Sequence, residues 1–251
     1  MHKNKLMKTI LIKAHRIITG YYQLLLVCLV LLFILRPYQN EVSYVGVWKF
    51  FLSIVILSAV FNVKHNRIVR IIASFLAIPT IILAWLDLAY PCPLFFISNA
   101  FVTSIFLFLC TVSILCDVVL RAKVTLETLR GVICAYFMIA FAFAYSYYLV
   151  EYISPNSFHL IGESSSIYDY SHYFSELLYF SFVTLLTIGY GDITALKSVG
   201  QTLTVLEGTI GQFYIAILVA RLVSVYSSYA DARVIKLLDE FSKVKKDHEK
   251  H

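Results

Sequence analysis

Between Thr187 and Asp192 the chain reads Thr-Ile-Gly-Tyr-Gly-Asp, with Gly189 and Gly191 at alternate positions. An ordinary strand turns successive carbonyls to opposite sides. Glycine admits the left-handed backbone that brings neighbouring carbonyls to the same side. Carbonyls aligned in this way form a ladder of oxygen ligands, which can replace the water shell of a dehydrated alkali cation such as potassium. The expected ligands are the carbonyls of Thr187, Ile188, Gly189 and Tyr190, with the Thr187 hydroxyl, and Gly191 completes the filter. Ile188 and Tyr190 are expected to point away from the ladder and pack behind it. One chain supplies one wall of such a cage, so a homotetramer is the expected partner state. No resident cofactor is expected; potassium is the permeant ligand.

Such a loop needs elements that hold it at membrane depth, and the composition supplies them. Of the 251 residues 60% are hydrophobic and only 14% charged, and the mean hydropathy is +0.79. That leaves too little polar surface for a soluble domain of this size. Crossing the hydrocarbon core takes about 20 apolar residues. Six runs qualify: 17–35, 44–63, 71–90, 94–120, 131–150 and 203–225. The apolar stretch 174–186 is too short to cross and reads as a re-entrant helix leading into the filter. The expected fold is therefore all-α and integral to the membrane, with six transmembrane helices and one re-entrant pore helix and filter loop between helices five and six. The basic N-terminus and first apolar run end in Arg36-Pro37-Tyr38 without a small-residue cleavage site, so an uncleaved first span is expected. All but three of the 21 Lys and Arg (Arg36, Lys49 and Lys197) fall in segments that six spans put on one side. That bias predicts cytoplasmic termini in a multi-pass protein of the cell membrane. The same placement makes the net charge of +6 a topology signal, not a nucleic-acid footprint. Three parts follow: a four-span bundle at 1–130, a pore domain at 131–227 and a cytoplasmic tail at 228–251.

Residues 131–227 resemble the pore domain of tetrameric potassium channels, in particular bacterial members of the two-transmembrane ion-channel family. The features that carry the resemblance are the TIGYGD string after a short helix and the last span, EGTIGQFYIAILVARLV. The resemblance implies that Asp192 anchors the filter to the back of the pore helix. Val183, one helical turn before Thr187, is a filter-support position where some channels carry a carboxylate. Leu186 stands where many members have a second threonine. Thr194 stands where an aromatic can bind external quaternary ammonium, so weak external block is expected. Gly211, 24 residues after Thr187, occupies the family's hinge position; it reads equally as a helix-packing glycine, a part that Gly208 serves better. Ile215 and Val219 are expected to face the cavity and Val223 to approach the inner mouth, an apolar constriction that gates by dewetting. Glu207, inside an apolar span, reads first as a polar tie to the pore helix and second as a functional carboxylate. Arg221 is expected to reach the lipid headgroups.

The four-span bundle stands where a voltage sensor would. A sensor helix needs Lys or Arg every third residue, and 94–120 has none. Asp87 and Asp117 read as helix-end groups. In the tail Val234, Leu237, Phe241 and Val244 follow heptad spacing, which suggests either a short parallel bundle or an amphipathic segment on the membrane surface. Membrane lipids are the other expected partners, and nucleic acid is not one. The five cysteines form no Cys-x-x-Cys pair and read as bystander thiols. All seven His lie outside the six spans, so no intramembrane enzyme is expected. A single re-entrant segment argues against a transporter built of two similar halves. The expected function is potassium-selective passive conduction without steep voltage gating. The alternatives are a less selective cation channel or a non-conducting regulatory membrane subunit.

Overall fold

A computed structural model of the protein describes residues 22–36, 42–63, 67–90, 92–120, 125–160 and 170–221. In chain order the elements are α1 (Gln23–Leu35), α2 (Val42–Asn62), α3 (Arg67–Ala89), α4 (Pro93–Leu120), α5 (Leu126–Ile153), β1 (Phe158–His159), α6 (Tyr170–Leu185), β2 (Thr194–Ala195) and α7 (Ser198–Arg221). Helices α2, α3, α4, α5 and α7 are long and apolar enough to cross a membrane, while α1 and α6 are shorter apolar helices. The protein is thus a helical, multi-pass membrane protein. The start of the expected first span lies outside the described residues, as do Val223 and the tail.

Helix α5 is the central element: α1, α4 and α6 all pack against it. Small residues allow the close approach. Ala135, Ala140, Ala142 and Ala144 are buried along α5, and Ala100, Thr103 and Ser104 along α4. Contacts between helices in a membrane rest on such close packing and on hydrogen bonds across it. The Ser104 and Ser146 hydroxyls lie 2.8 Å apart across this seam. Helix α5 starts five residues before the expected span because Thr125 caps it. The Thr125 hydroxyl accepts from the Thr128 N–H at 3.3 Å, and the Thr128 hydroxyl accepts from the Thr125 N–H at 3.2 Å. An N-cap of this kind is worth about 1 kcal/mol. At the other side of α5 an aromatic layer receives α6. Tyr145 meets Phe174 at 4.4 Å between ring centroids, Phe137 meets Phe182 at 5.4 Å and Tyr147 meets Phe180 at 5.2 Å. Tilted and edge-on ring pairs of this kind contribute about 0.5–1.5 kcal/mol each beyond burial.

Two acidic groups expected at helix ends do lie in the last turns of α3 and α4, where they have protein partners. Asp87 on α3 pairs with Lys49 on α2 at 2.6 Å, with both side chains largely buried. Asp117 on α4 accepts from the Tyr22 hydroxyl at 3.0 Å. The Lys49–Asp87 pair is neutral as a unit, which lets two charges sit in an apolar bundle; the Tyr22 hydroxyl gives Asp117 a hydrogen bond.

Candidate functional site

The filter string begins where α6 ends, and backbone bonds hold the turn. The Leu186 N–H donates to the Phe182 carbonyl at 2.9 Å, the Thr187 N–H to Thr184 at 2.9 Å and the Ile188 N–H to Val183 at 2.9 Å. These bonds satisfy carbonyls that a helix end leaves without partners. Beyond the turn the backbone alternates. Thr187, Gly189 and Gly191 have φ of 57°, 60° and 76°, and the residues between them do not take positive φ. A β-branched threonine in the left-handed region is a strained outlier, costing about 1–3 kcal/mol. Strain held in place at a loop between packed helices marks a position whose backbone direction matters more than its stability.

The side chains of this loop are open. Ile188 is 47% exposed and Tyr190 68%, so the described residues leave much of both side chains open, although they are expected to pack behind the ladder. Val183 is buried, and its link to the filter turn runs through its carbonyl, not its side chain. Asp192 is held from α6 by a residue that sequence reasoning missed: the Tyr179 hydroxyl donates to Asp192 Oδ2 at 2.6 Å. The other carboxylate oxygen accepts from the Ile193 N–H at 2.9 Å. The Tyr179 bond, with this backbone bond in support, holds the Asp192 carboxyl below its usual range, so the brace consists of a carboxylate and a neutral phenol. Tyr179 stands four residues before Val183, on the same face of α6. That i, i+4 spacing was the available signal, one turn further from the filter string than Val183.

The far side of the loop is fixed to the end of α5. β2 pairs antiparallel with β1, Phe158 opposite Ala195 and His159 opposite Thr194. The buried Glu151 carboxylate accepts from the N–H groups of Asn156, Ser157 and Phe158 at 2.6, 2.8 and 3.0 Å, which anchors the turn before β1. Lys197 Nζ donates to the Pro155 carbonyl at 2.6 Å. Two-residue strands are too short to show a period, so sequence patterning gives no sign of them.

Helix α7 closes the site from behind. Glu207 is fully buried, and its carboxylate accepts from the Tyr147 hydroxyl on α5 and the Ser181 hydroxyl on α6. Ser181 is also within 2.8 Å of the Ala140 carbonyl. Glu207 therefore joins three helices through hydroxyl donors and has no cationic partner among these contacts. Gly211 lies against the last turn of α6: a Cβ there would overlap the Leu185 carbonyl oxygen and fall 3.0 Å from Leu185 Cδ1. Gly208, the expected packing glycine, has room, with Thr184 Cγ2 at 3.9 Å. Away from this stripe α7 is uncovered; Val205, Phe213 and Ile217 are more than 60% exposed, Ile215 is 41% and Val219 52%. Arg221 ends the described part of α7. Among the described residues no group of His, Cys, Asp and Glu could hold a metal ion.

Residues 132–228 match the model of a family described as ion channel. The matched segment contains most of α5, and α6, the filter string and α7, and it supports an ion channel. No curated protein and no solved structure matches the chain.

Proposed function

We propose that the protein is one subunit of a homotetrameric, potassium-selective channel, with Thr187, Ile188, Gly189, Tyr190 and Gly191 as its filter. The observation that carries this reading is the alternation of left-handed backbone at Thr187, Gly189 and Gly191 directly after the end of a short apolar helix. Alternation of this kind points successive carbonyls along one side, as a dehydrated potassium ion requires. In this reading α1 to α5 and α7 cross the bilayer, α6 is the re-entrant pore helix and both termini are cytoplasmic.

Two features support a closed ring of copies. Tyr190 and Ile188 are largely open, and α7 is apolar on faces that the described residues leave exposed. A four-fold arrangement lets one subunit's α6 and α7 cover the next subunit's filter, and lets Ile215 and Val219 line a shared cavity. Asp192 and Val183 support the filter from behind, and Val223 belongs to the inner mouth.

Purified protein reconstituted in liposomes is expected to pass potassium at least about a hundredfold faster than sodium, as a carbonyl cage that replaces the hydration shell allows. Its mass in nanodiscs is expected to be four times the 28.7 kDa chain. Equal potassium and sodium flux leaves a less selective cation channel. No flux from an intact tetramer leaves a regulatory subunit.

Opening is expected to depend only weakly on voltage. A field does about 2.3 kcal/mol of work per elementary charge moved through 100 mV. Helix α4 carries no Lys or Arg, and its one charged residue, Asp117, is bonded to Tyr22. Lys49 and Asp87 form an ion pair, so moving them together transfers no net charge. Recording open probability in symmetric potassium checks this; a steep curve whose charge movement persists with the filter blocked overturns it.

A further inference from the structure

The end of α1 meets the back of α6 at two levels. At the first, Phe33 packs on Phe182 at 4.7 Å and on Phe137 of α5 at 6.1 Å between ring centroids. One turn further on, Arg36 makes two contacts with one turn of α6. Its Nε donates to the Ser175 carbonyl at 2.7 Å, and its guanidinium carbon lies 5.0 Å from the centroid of the Tyr179 ring. The Ser175 carbonyl is also the one a helix pairs with the Tyr179 N–H, four residues on. Arg36 thus holds both the backbone turn and the ring of the residue whose hydroxyl reaches Asp192 at 2.6 Å. Only a guanidinium can do both, because it is planar enough to stack on a ring while its edge donates hydrogen bonds. Arg36 is distant in sequence from Tyr179 and Asp192, which lie 13 residues apart, and the three form one unbroken chain of contacts from the four-helix bundle to the filter.

We propose that Arg36 is a positioning residue for the filter: through Tyr179 it makes the hold on Asp192 depend on where the end of α1 sits against α6. The inference rests on the channel reading above and adds a control point to it. A bundle without sensor charges then acts on conduction mechanically. When α1 moves away from α6, Tyr179 loses its support, Asp192 is released and the loop 187–193 loosens. The stimulus that moves α1 acts at the filter itself and needs no movement of α7.

The test uses the full-length tetramer with R36Q, R36K, Y179F and the double variant R36Q/Y179F. Two readouts are taken: the decay of potassium current at low external potassium, and amide hydrogen exchange across 187–193. R36Q is expected to speed both about three- to tenfold, the range a partly buried cation–π contact corresponds to. Y179F moves both in the same direction, and the double variant is no faster than the faster single one, since Arg36 acts through Tyr179. R36K keeps a charge over the ring but not the fork, and falls between R36Q and the unmodified protein. Unchanged decay and exchange in R36Q overturn the proposal, as do R36Q and Y179F effects that multiply. If R36Q does not assemble, R36K decides: indistinguishable from the unmodified protein on both readouts, it overturns the proposal. If the unmodified protein proves unselective for potassium, the channel reading fails on its own, and exchange across 187–193 still decides the role of Arg36.

Discussion

Gly189→Ala is expected to reduce potassium flux in liposomes to background while leaving tetramer assembly intact. Gly189 sits at φ of 60°, and a Cβ built there meets nothing within 4 Å in its own chain. The penalty is therefore conformational, not a clash. Holding an L-residue in the left-handed region costs roughly 1–2 kcal/mol per residue, so four copies around one axis add up to about 4–8 kcal/mol. The loop escapes that cost by turning the 189 peptide, and a turned peptide removes one ring of carbonyls from the ion's path. Thr187 already carries a strained left-handed conformation two residues away, so the loop has little slack to absorb a second such residue. None of the contacts between α5, α6 and α7 involves Gly189, which is why assembly survives. The check is paired: potassium flux from reconstituted protein and mass in nanodiscs. Full flux with alanine at 189 would falsify the carbonyl-ladder reading.

The left-handed backbone at Gly189 and Gly191 and the helices were legible from sequence because each writes a local pattern. Alternate glycines announce the backbone reversal, and apolar runs of span length announce the helices. The contacts that hold the loop and the bundle were not legible, because they join residues on different elements that share no period. Tyr179 is one aromatic among many on α6, and its partner Asp192 lies beyond the turn, 13 residues on. Arg36 looked like an isolated charge after the first span, 139 residues from the Ser175 carbonyl it bonds. Lys49 and Asp87 are 38 residues apart on different helices, so no periodicity connects them. Glu151 closes the turn before a strand pair too short to pattern. Glu207 was legible as costly in an apolar span, and its expected tie to α6 corresponds to the Ser181 hydroxyl, but nothing local pointed to Tyr147 as the second donor.

Gly211→Ala is expected to abolish conduction by breaking the joint between α7 and the end of α6, with Gly208→Ala as the tolerated comparison. Sequence spacing left Gly211 evenly divided between a hinge and a packing contact and favoured Gly208 for packing. The geometry assigns the tight contact to Gly211. A methyl at 211 meets backbone, the Leu185 carbonyl oxygen, which also accepts the Tyr136 hydroxyl at 3.0 Å. A backbone oxygen two residues before Thr187 cannot rotate away as a side chain does. Relief therefore requires α7 to back off, which parts the Tyr136 and Tyr214 rings, or the last turn of α6 to shift, which breaks the Tyr136 bond. Overpacking of this kind costs about 1–3 kcal/mol per site, and every subunit carries it. A methyl at 208 approaches only Thr184 Cγ2 at 3.9 Å, an ordinary contact. The measurements are potassium flux and thermal unfolding of the tetramer in detergent. Gly211→Ala is expected to lose flux and to unfold at a clearly lower temperature, whereas Gly208→Ala keeps both. A glycine needed only as a hinge behaves differently: alanine there changes opening and leaves thermal stability untouched. Gly211→Ala protein with unmodified stability and altered opening would therefore return Gly211 to the hinge and remove it from the α6 joint.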